Sequence, residues 1–246
     1  MGFVVQSDWM KAGRIQREGP TRVPLAIEEW QWRPSLNDVE TYFSRMGSIR
    51  DAGPWAIDFE ATMNQEPVCL GLWSCDDPLT HRGLCIPFLN QGGSRYWAPE
   101  DEARVMQLVR GFLSNPHLGK VGHNLAGYDT GVSVSDGAKL IHFNWRGLAK
   151  IAWNIDTLGI VGDTMAAHHV LFAELRHNLA FLGSMVCDLG PFKLDVWKDD
   201  GDEEATAKAD WTTILERPDA KTRIYNLRDC FVTALAWLQL VLEMAP

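Results

Sequence analysis

This 246-residue chain has no apolar run near the roughly 18 residues that a membrane-crossing helix needs. Its five cysteines, Cys69, Cys75, Cys85, Cys187 and Cys230, include no C-x-x-C pair, which argues against a zinc ribbon or a disulfide framework. The opening MGFVVQSDWMKAGR lacks the basic start and apolar stretch of a secretory leader. Positive charge is also scarce: 23 Lys and Arg face 32 Asp and Glu, a net charge of −9. That balance excludes non-specific coating of a polyanion, whose affinity comes from phosphate neutralisation. It leaves room for an acidic centre whose local field is reversed by bound cations. A soluble protein of a reducing compartment, with no membrane partner, is expected. What the chain does have is apolar mass, 46% hydrophobic with 11 Trp and 10 Phe, enough for one domain of about 200 residues plus an appendage.

Residues 1–34 hold no sustained period and are broken by Gly13, Gly19-Pro20, Pro24 and Pro34, which predicts an irregular arm followed by one domain over 35–246. Ser35 and Asp38 have capping-box spacing, and Leu36, Val39, Phe43 and Met46 share one helical face, so a helix of about 14 residues should start there. Apolar runs at 55–59, 68–73 and 84–89 read as consecutive strands. Pro99 with Glu100, Asp101 and Glu102 begins a helix whose buried stripe is Val105, Leu108, Val109 and Phe112. A strand at 120–122, a helix from near Asn124, a strand at 151–156, helices at 163–172 and 179–186, and a last helix over about 220–243 complete the reading. Strands first and alternating elements later predict an α/β protein, a mixed sheet flanked by helices.

Four carboxylates occupy informative places. Asp58 and Glu60 alternate along the first strand, so both leave one face about 7 Å apart along the backbone. Asp129 ends the segment Gly-His-Asn-Leu-Ala-Gly-Tyr-Asp after a strand, and Asp229 lies one helical turn beyond Tyr225 on the last helix. Asp-x-Glu, then Asn-x-x-x-Tyr-Asp, then Tyr-x-x-x-Asp, in that order, resembles the DEDD superfamily of 3′–5′ exonucleases. Tyrosine in the third motif makes it similar to the DEDDy branch, which holds the proofreading domain of bacterial and phage family A DNA polymerases and ribonuclease D. Asp163-Thr164-Met165 and Asn178-Leu179-Ala180-Phe181-Leu182 resemble further phage polymerase exonuclease segments, and the likeness spans about residues 36–243.

The resemblance implies a ribonuclease H-like fold and metal-dependent removal of nucleotides from DNA 3′ ends, single-stranded or frayed. Two divalent ions, Mg²⁺ or Mn²⁺, would be held by Asp58, Glu60, Asp129 and Asp229, with Tyr225 orienting the attacking water. Asn124 and Tyr128 match positions that touch the terminal nucleotides, and Met63 and Asn64 would pack near the 3′ base. Three residues separate Asn124 from Tyr128, where the family often has two. An exoribonuclease of the ribonuclease D type, or a non-catalytic docking module supporting a polymerase, would use the same fold. With 17 residues after Asp229 in the 246-residue chain, proofreading would need a polymerase or other replication protein in trans, in the cytoplasm of a bacterium or phage-infected cell.

Other groups read as ordinary structure. His168 and His169 are adjacent on a helix and cannot form an i, i+4 metal pair. Asp156-Thr157 competes with Asp163-Thr164 for one family position, and Met165 with its helical pattern favours the latter. Lys139, His142, Arg146 and Lys150 around Trp145 fit a solvated hairpin or a nucleic-acid contact. The acidic run from Asp195 to Glu204 fails the calcium-loop pattern, because Gly201 at the sixth position would put Val196 first, Lys198 third and Ala207 twelfth.

Overall fold

Alternation along one strand, β1 (Trp55–Ala61), divides the molecule into two layers. The computed structural model describes residues 31–48, 53–62, 64–76, 78, 83–125, 131–135, 138–142, 145–186 and 214–245. On one side of β1, Trp55, Ile57 and Phe59 join a core with Val39 and Met46 of α1 (Leu36–Ser48) and Val105, Val109, Phe112 and Leu113 of α2 (Pro99–Leu113). The expected cap of α1 is present: Ser35 N and Oγ donate to Asp38 Oδ2 at 2.8 and 2.6 Å, and Asp38 N donates back to Ser35 Oγ at 3.3 Å. These bonds to Ser35 hold the Asp38 carboxyl below its usual range.

β2 (Pro67–Ser74) pairs antiparallel with β1, and β3 (Leu84–Pro87) pairs antiparallel with β2. β4 (Lys120–Gly122) lies parallel on the other side of β1, and β7 (Ile160–Asp163) lies parallel beyond it. The order β3-β2-β1-β4-β7, antiparallel strands first and parallel crossovers after, is that of a ribonuclease H-like α/β fold. Ahead of α1, Gln31 adds one bridge at the outer edge, beside Leu84.

The opposite face of the sheet carries Ala56, Cys69, Trp73 and Cys85, and these pack against α5 (Leu179–Val186) and the 26-residue α6 (Asp219–Met244) through Leu179, Leu227, Cys230 and Phe231. Gly71 sits in the middle of this face, where a Cβ would collide with Asn226 Oδ1 of α6. A glycine there lets helix and sheet approach closely. Cys69, Cys75, Cys85 and Cys230 are buried thiols, and Cys187 lies outside the described residues.

Two expectations are corrected. Residues 151–156 are not a strand: 151–153 complete α3 (Trp145–Trp153), Asn154 then turns the chain at φ 52°, and the strand comes later as β7. Helical spacing wins because it buries Leu148 and Ala149 and brings Trp153 against Phe59 and Phe88, with ring centroids 5.6 and 4.8 Å away. No helix starts at Asn124 among the described residues. The chain turns at 123–125 and reappears as the antiparallel hairpin β5 (Gly131–Ser135) and β6 (Ala138–His142). The basic group around Trp145 is therefore divided between β6, which holds Lys139 and His142, and α3, where the Lys150 ammonium pairs with Asp156 at 2.9 Å.

Candidate active site

β1, β4 and β7 run parallel, so their carboxyl ends open on one edge of the sheet, the place where ligands enter open α/β sheets. β1 ends there with Asp58 and Glu60, followed by an irregularity in register between Glu60 and Ala61. α6 crosses above and supplies Tyr225 and Asp229, one turn apart on its inner side. Glu60 is 4% exposed, Asp229 8% and Tyr225 9%, so two carboxylates and a phenol share a nearly dry interior.

The Tyr225 hydroxyl reports how these groups meet. Burial pushes its acidity constant far above the ordinary phenol value, the charges of Asp229, Glu60 and Asp58 push it further, and a hydrogen bond with Asp229 adds to the effect. A phenol held among three carboxylates stays protonated at any physiological pH, so it donates a proton in a hydrogen bond and does not serve as an anionic base. Asp58 is held from above, because Asn226 Nδ2 donates to its Oδ2 at 3.0 Å and to its backbone oxygen at 3.2 Å. Nothing in the sequence singles out Asn226, a wholly buried amide that stands between Tyr225 and Leu227.

β4 leads into the second motif. Asp163, at the end of β7, accepts from the backbone N–H of Asn124 at 2.9 Å and of Leu125 at 2.6 Å. The same carboxylate caps α4 (Thr164–Leu171) by accepting from Met165 N at 2.9 Å and Ala166 N at 3.4 Å. Asn124 adopts φ 63°, a left-handed conformation that asparagine tolerates, so the residue type suits the sharp turn. Next to it the buried Thr164 hydroxyl donates to Gly122 O at 3.3 Å, which leaves the Thr164 oxygen to accept from His123 Nδ1 at 2.8 Å. Asp163 thus fixes the exit of β4 and the start of α4 together, a role that its place in the sequence did not disclose. Asp156, its rival, is a surface partner of Lys150, with 71% of its side chain exposed.

Tyr128 and Asp129, which follow this turn, and Met63 lie outside the described residues, as does the acidic run from Asp195 to Glu204. Asn64 is exposed on the turn between β1 and β2, just past Glu60. The adjacent histidines are not independent of each other. His177 reaches both, Nδ1 to His168 Nδ1 at 2.7 Å and Nε2 to His169 Nδ1 at 2.9 Å, and burial first, then its two histidine neighbours, pulls His168 down to about 4. Because His177 turns its two nitrogens to opposite sides, the three rings do not converge on one point.

Hard oxygen donors of this kind suit Mg²⁺ or Mn²⁺. Buried acids that face one another repel in the absence of a cation, so the donor chemistry and the burial both fit a divalent ion. Among the described residues no group of three His, Cys, Asp or Glu side chains is arranged to hold an ion alone, so β1 and α6 contribute an incomplete donor set. No helix among the described residues is long and apolar enough to cross a membrane.

No family model and no curated protein sequence matches the chain. Similar solved structures include the apo form of a nuclease, at 14% identity and TM-score 0.49, over 86% of this chain and 78% of that one. The catalytic core of RRP6 from Trypanosoma brucei is similar at 12% identity and TM-score 0.48, over 89% of this chain and 49% of that one. An EXD2 exonuclease domain soaked in Mn and GMP is similar at 12% identity and TM-score 0.35, over 84% of this chain and 89% of that one. The fold assignment above stands on the strand order itself.

Proposed function

We propose that this chain is a metal-dependent 3′–5′ exonuclease that removes nucleotides from DNA ends. The observation that carries the reading is the meeting of Asp58, Glu60 and Asp229 around the Tyr225 hydroxyl at the carboxyl end of β1. Together with the motif order that resembles the DEDDy exonucleases, it supports hydrolysis of a phosphodiester. Following the resemblance, Asp58, Glu60 and Asp229 would contribute donors to one divalent ion, completed by ligands beyond these three, and Asp58 with Asp129 would contribute to a second. Bound there, the pair would neutralise charge developing on the attacking and leaving oxygens.

The chain's own groups do the rest. Tyr225, a hydrogen-bond donor locked in its neutral form, orients the attacking water. Asp163 holds the turn at Asn124 and Leu125, where β4 leads into the second motif. Asn64, on the turn past Glu60, with Met63, Asn124 and Tyr128, borders the path of the terminal nucleotides. Residues 35–246 form the exonuclease domain, with 1–34 as an arm suited to a replication partner.

The test is a time course of 5′-labelled DNA and RNA oligonucleotides with Mg²⁺, Mn²⁺ or EDTA. A DNA ladder that shortens from the 3′ end and stops in EDTA is expected. Faster shortening of RNA assigns the site to an exoribonuclease, and binding without cleavage assigns a docking role.

A further inference from the structure

Asn226 is wholly buried, flanked on α6 by Leu227, Cys230 and Phe231, yet it uses both of its amide hydrogens on one residue. Its Nδ2 donates to the Asp58 carboxylate at 3.0 Å and to the Asp58 carbonyl at 3.2 Å. The other end of the amide lies against Gly71, the residue opposite Asp58 in β2, where any Cβ would strike Asn226 Oδ1. Among the described residues that oxygen has no hydrogen-bond partner, and the Cα–H of Gly71 is the group it faces, a weak contact of a known kind. A buried acceptor left without a strong donor is a cost, and it is accepted here in order to aim the donor end at Asp58.

We propose that Asn226 is a positioning residue that fixes the Asp58 carboxylate for divalent-cation binding. Two hydrogen bonds from one rigid amide, one to the carboxylate and one to the backbone of the same residue, set both torsions of the Asp58 side chain. They also give one carboxylate oxygen a permanent N–H partner. A ligand held in this way loses less freedom when the ion arrives, as hydrogen-bonded outer groups do in other metal sites. Gly71 is the complementary half of the device, since without its bare Cα the amide cannot reach Asp58. The inference rests on the reading of Asp58 as a metal ligand.

The test uses Mn²⁺ alone, titrated calorimetrically into the metal-free full chain, wild type beside Asn226→Ala and Asn226→Asp. Asn226→Ala should bind Mn²⁺ about 10- to 100-fold more weakly. Its melting temperature without metal should stay close to wild type, and its KM for a single-stranded oligonucleotide at saturating Mn²⁺ should change less than about twofold. Asn226→Asp keeps the size of the amide and removes the N–H at neutral pH, so it should share the defect. Unchanged Mn²⁺ affinity in either folded variant overturns the proposal. Should neither variant fold, NMR of the wild-type chain decides: the Asn226 side-chain amide signals should shift when Mg²⁺ binds, and static signals overturn the idea. If wild type binds Mn²⁺ but cleaves nothing, the exonuclease reading fails while this inference stands; if it binds no Mn²⁺, both fall.

Discussion

The two faces of β1 share out one run of seven residues and do opposite things. Trp55, Ile57 and Phe59 vanish into a continuous apolar layer with α1 and α2. Ala56, Asp58 and Glu60 look toward α6, where the burial that stabilises one face is imposed on carboxylates. Stability is therefore concentrated on the first face and chemistry on the second, and a single alternation keeps them a side chain apart.

The sharpest way to break this division is a pair of neighbouring substitutions. Asp58→Ala should lower cleavage of a labelled oligonucleotide by several orders of magnitude with little change in the melting curve, since in the proposed site it removes a ligand and not packing. Ile57→Ala should do the reverse, costing about 2–5 kcal/mol in urea unfolding while the folded fraction keeps its activity. If the first variant melts early or the second is catalytically dead, the two faces are not separate. Tyr225→Phe should follow with a loss of about 10- to 1000-fold in kcat, the range for removing one well-placed donor, and oligonucleotide binding should persist.

The faces should also differ in their response to alkali. Cys69, Cys75 and Cys230 lie on the α6 side, and burial raises their thiols above the ordinary value near 9. Their folded forms keep protons that the unfolded chain gives up, so their stabilisation is full below about pH 9 and is lost as pH climbs. Lys120 sits against the other layer, its ammonium 4.7 Å from the Phe112 ring and donating to Asn115 O and Leu118 O at 2.9 and 2.7 Å. Burial lowers it to about 8 from 10.5, so a penalty present below pH 8 is relieved between the two values, the opposite sign. Urea midpoints at pH 7, 9 and 10.5 should fall for wild type, and fall more steeply for Lys120→Met, which lacks the compensating rise. Parallel curves would show that Lys120 does not titrate in this window. The smallest effect belongs to Ser35→Ala, about 1 kcal/mol from the loss of the α1 cap, with catalysis unchanged.

Where the sequence was legible, one period dominated. The strands at 55–61, 67–74 and 84–87 alternate or stay apolar throughout, and the Ser35-to-Asp38 cap and the stripe of α2 sit where their spacing put them. It misled where apolar residues were dense without a clear period: Ile151, Ala152 and Trp153 suit a strand as well as a helix until Phe59 and Phe88 fill the space beside Trp153. The helix expected from near Asn124 gives way to strands at 131–135 and 138–142, and of these the part around Lys139 and His142 already fitted a hairpin in the sequence. Motif order alone proposes Asp58, Glu60, Tyr225 and Asp229. It does not propose Asn226, Asp163 as an anchor for 124–125, or the reach of His177, because each depends on which side chain a distant backbone brings within bonding distance.

Gly71 gives the site something like the stop on a caliper. One jaw is the end of β1 with its two acids, the other is α6 with Tyr225 and Asp229, and the gap between them closes until helix meets bare backbone. The aperture is thus set by a position that carries no side chain and takes no part in the chemistry. Enlarging residue 71 by one methyl would press on Asn226 and Cys230 of α6 together, so the spacing of the cleft and the hold on Asp58 answer to a position that is itself no ligand.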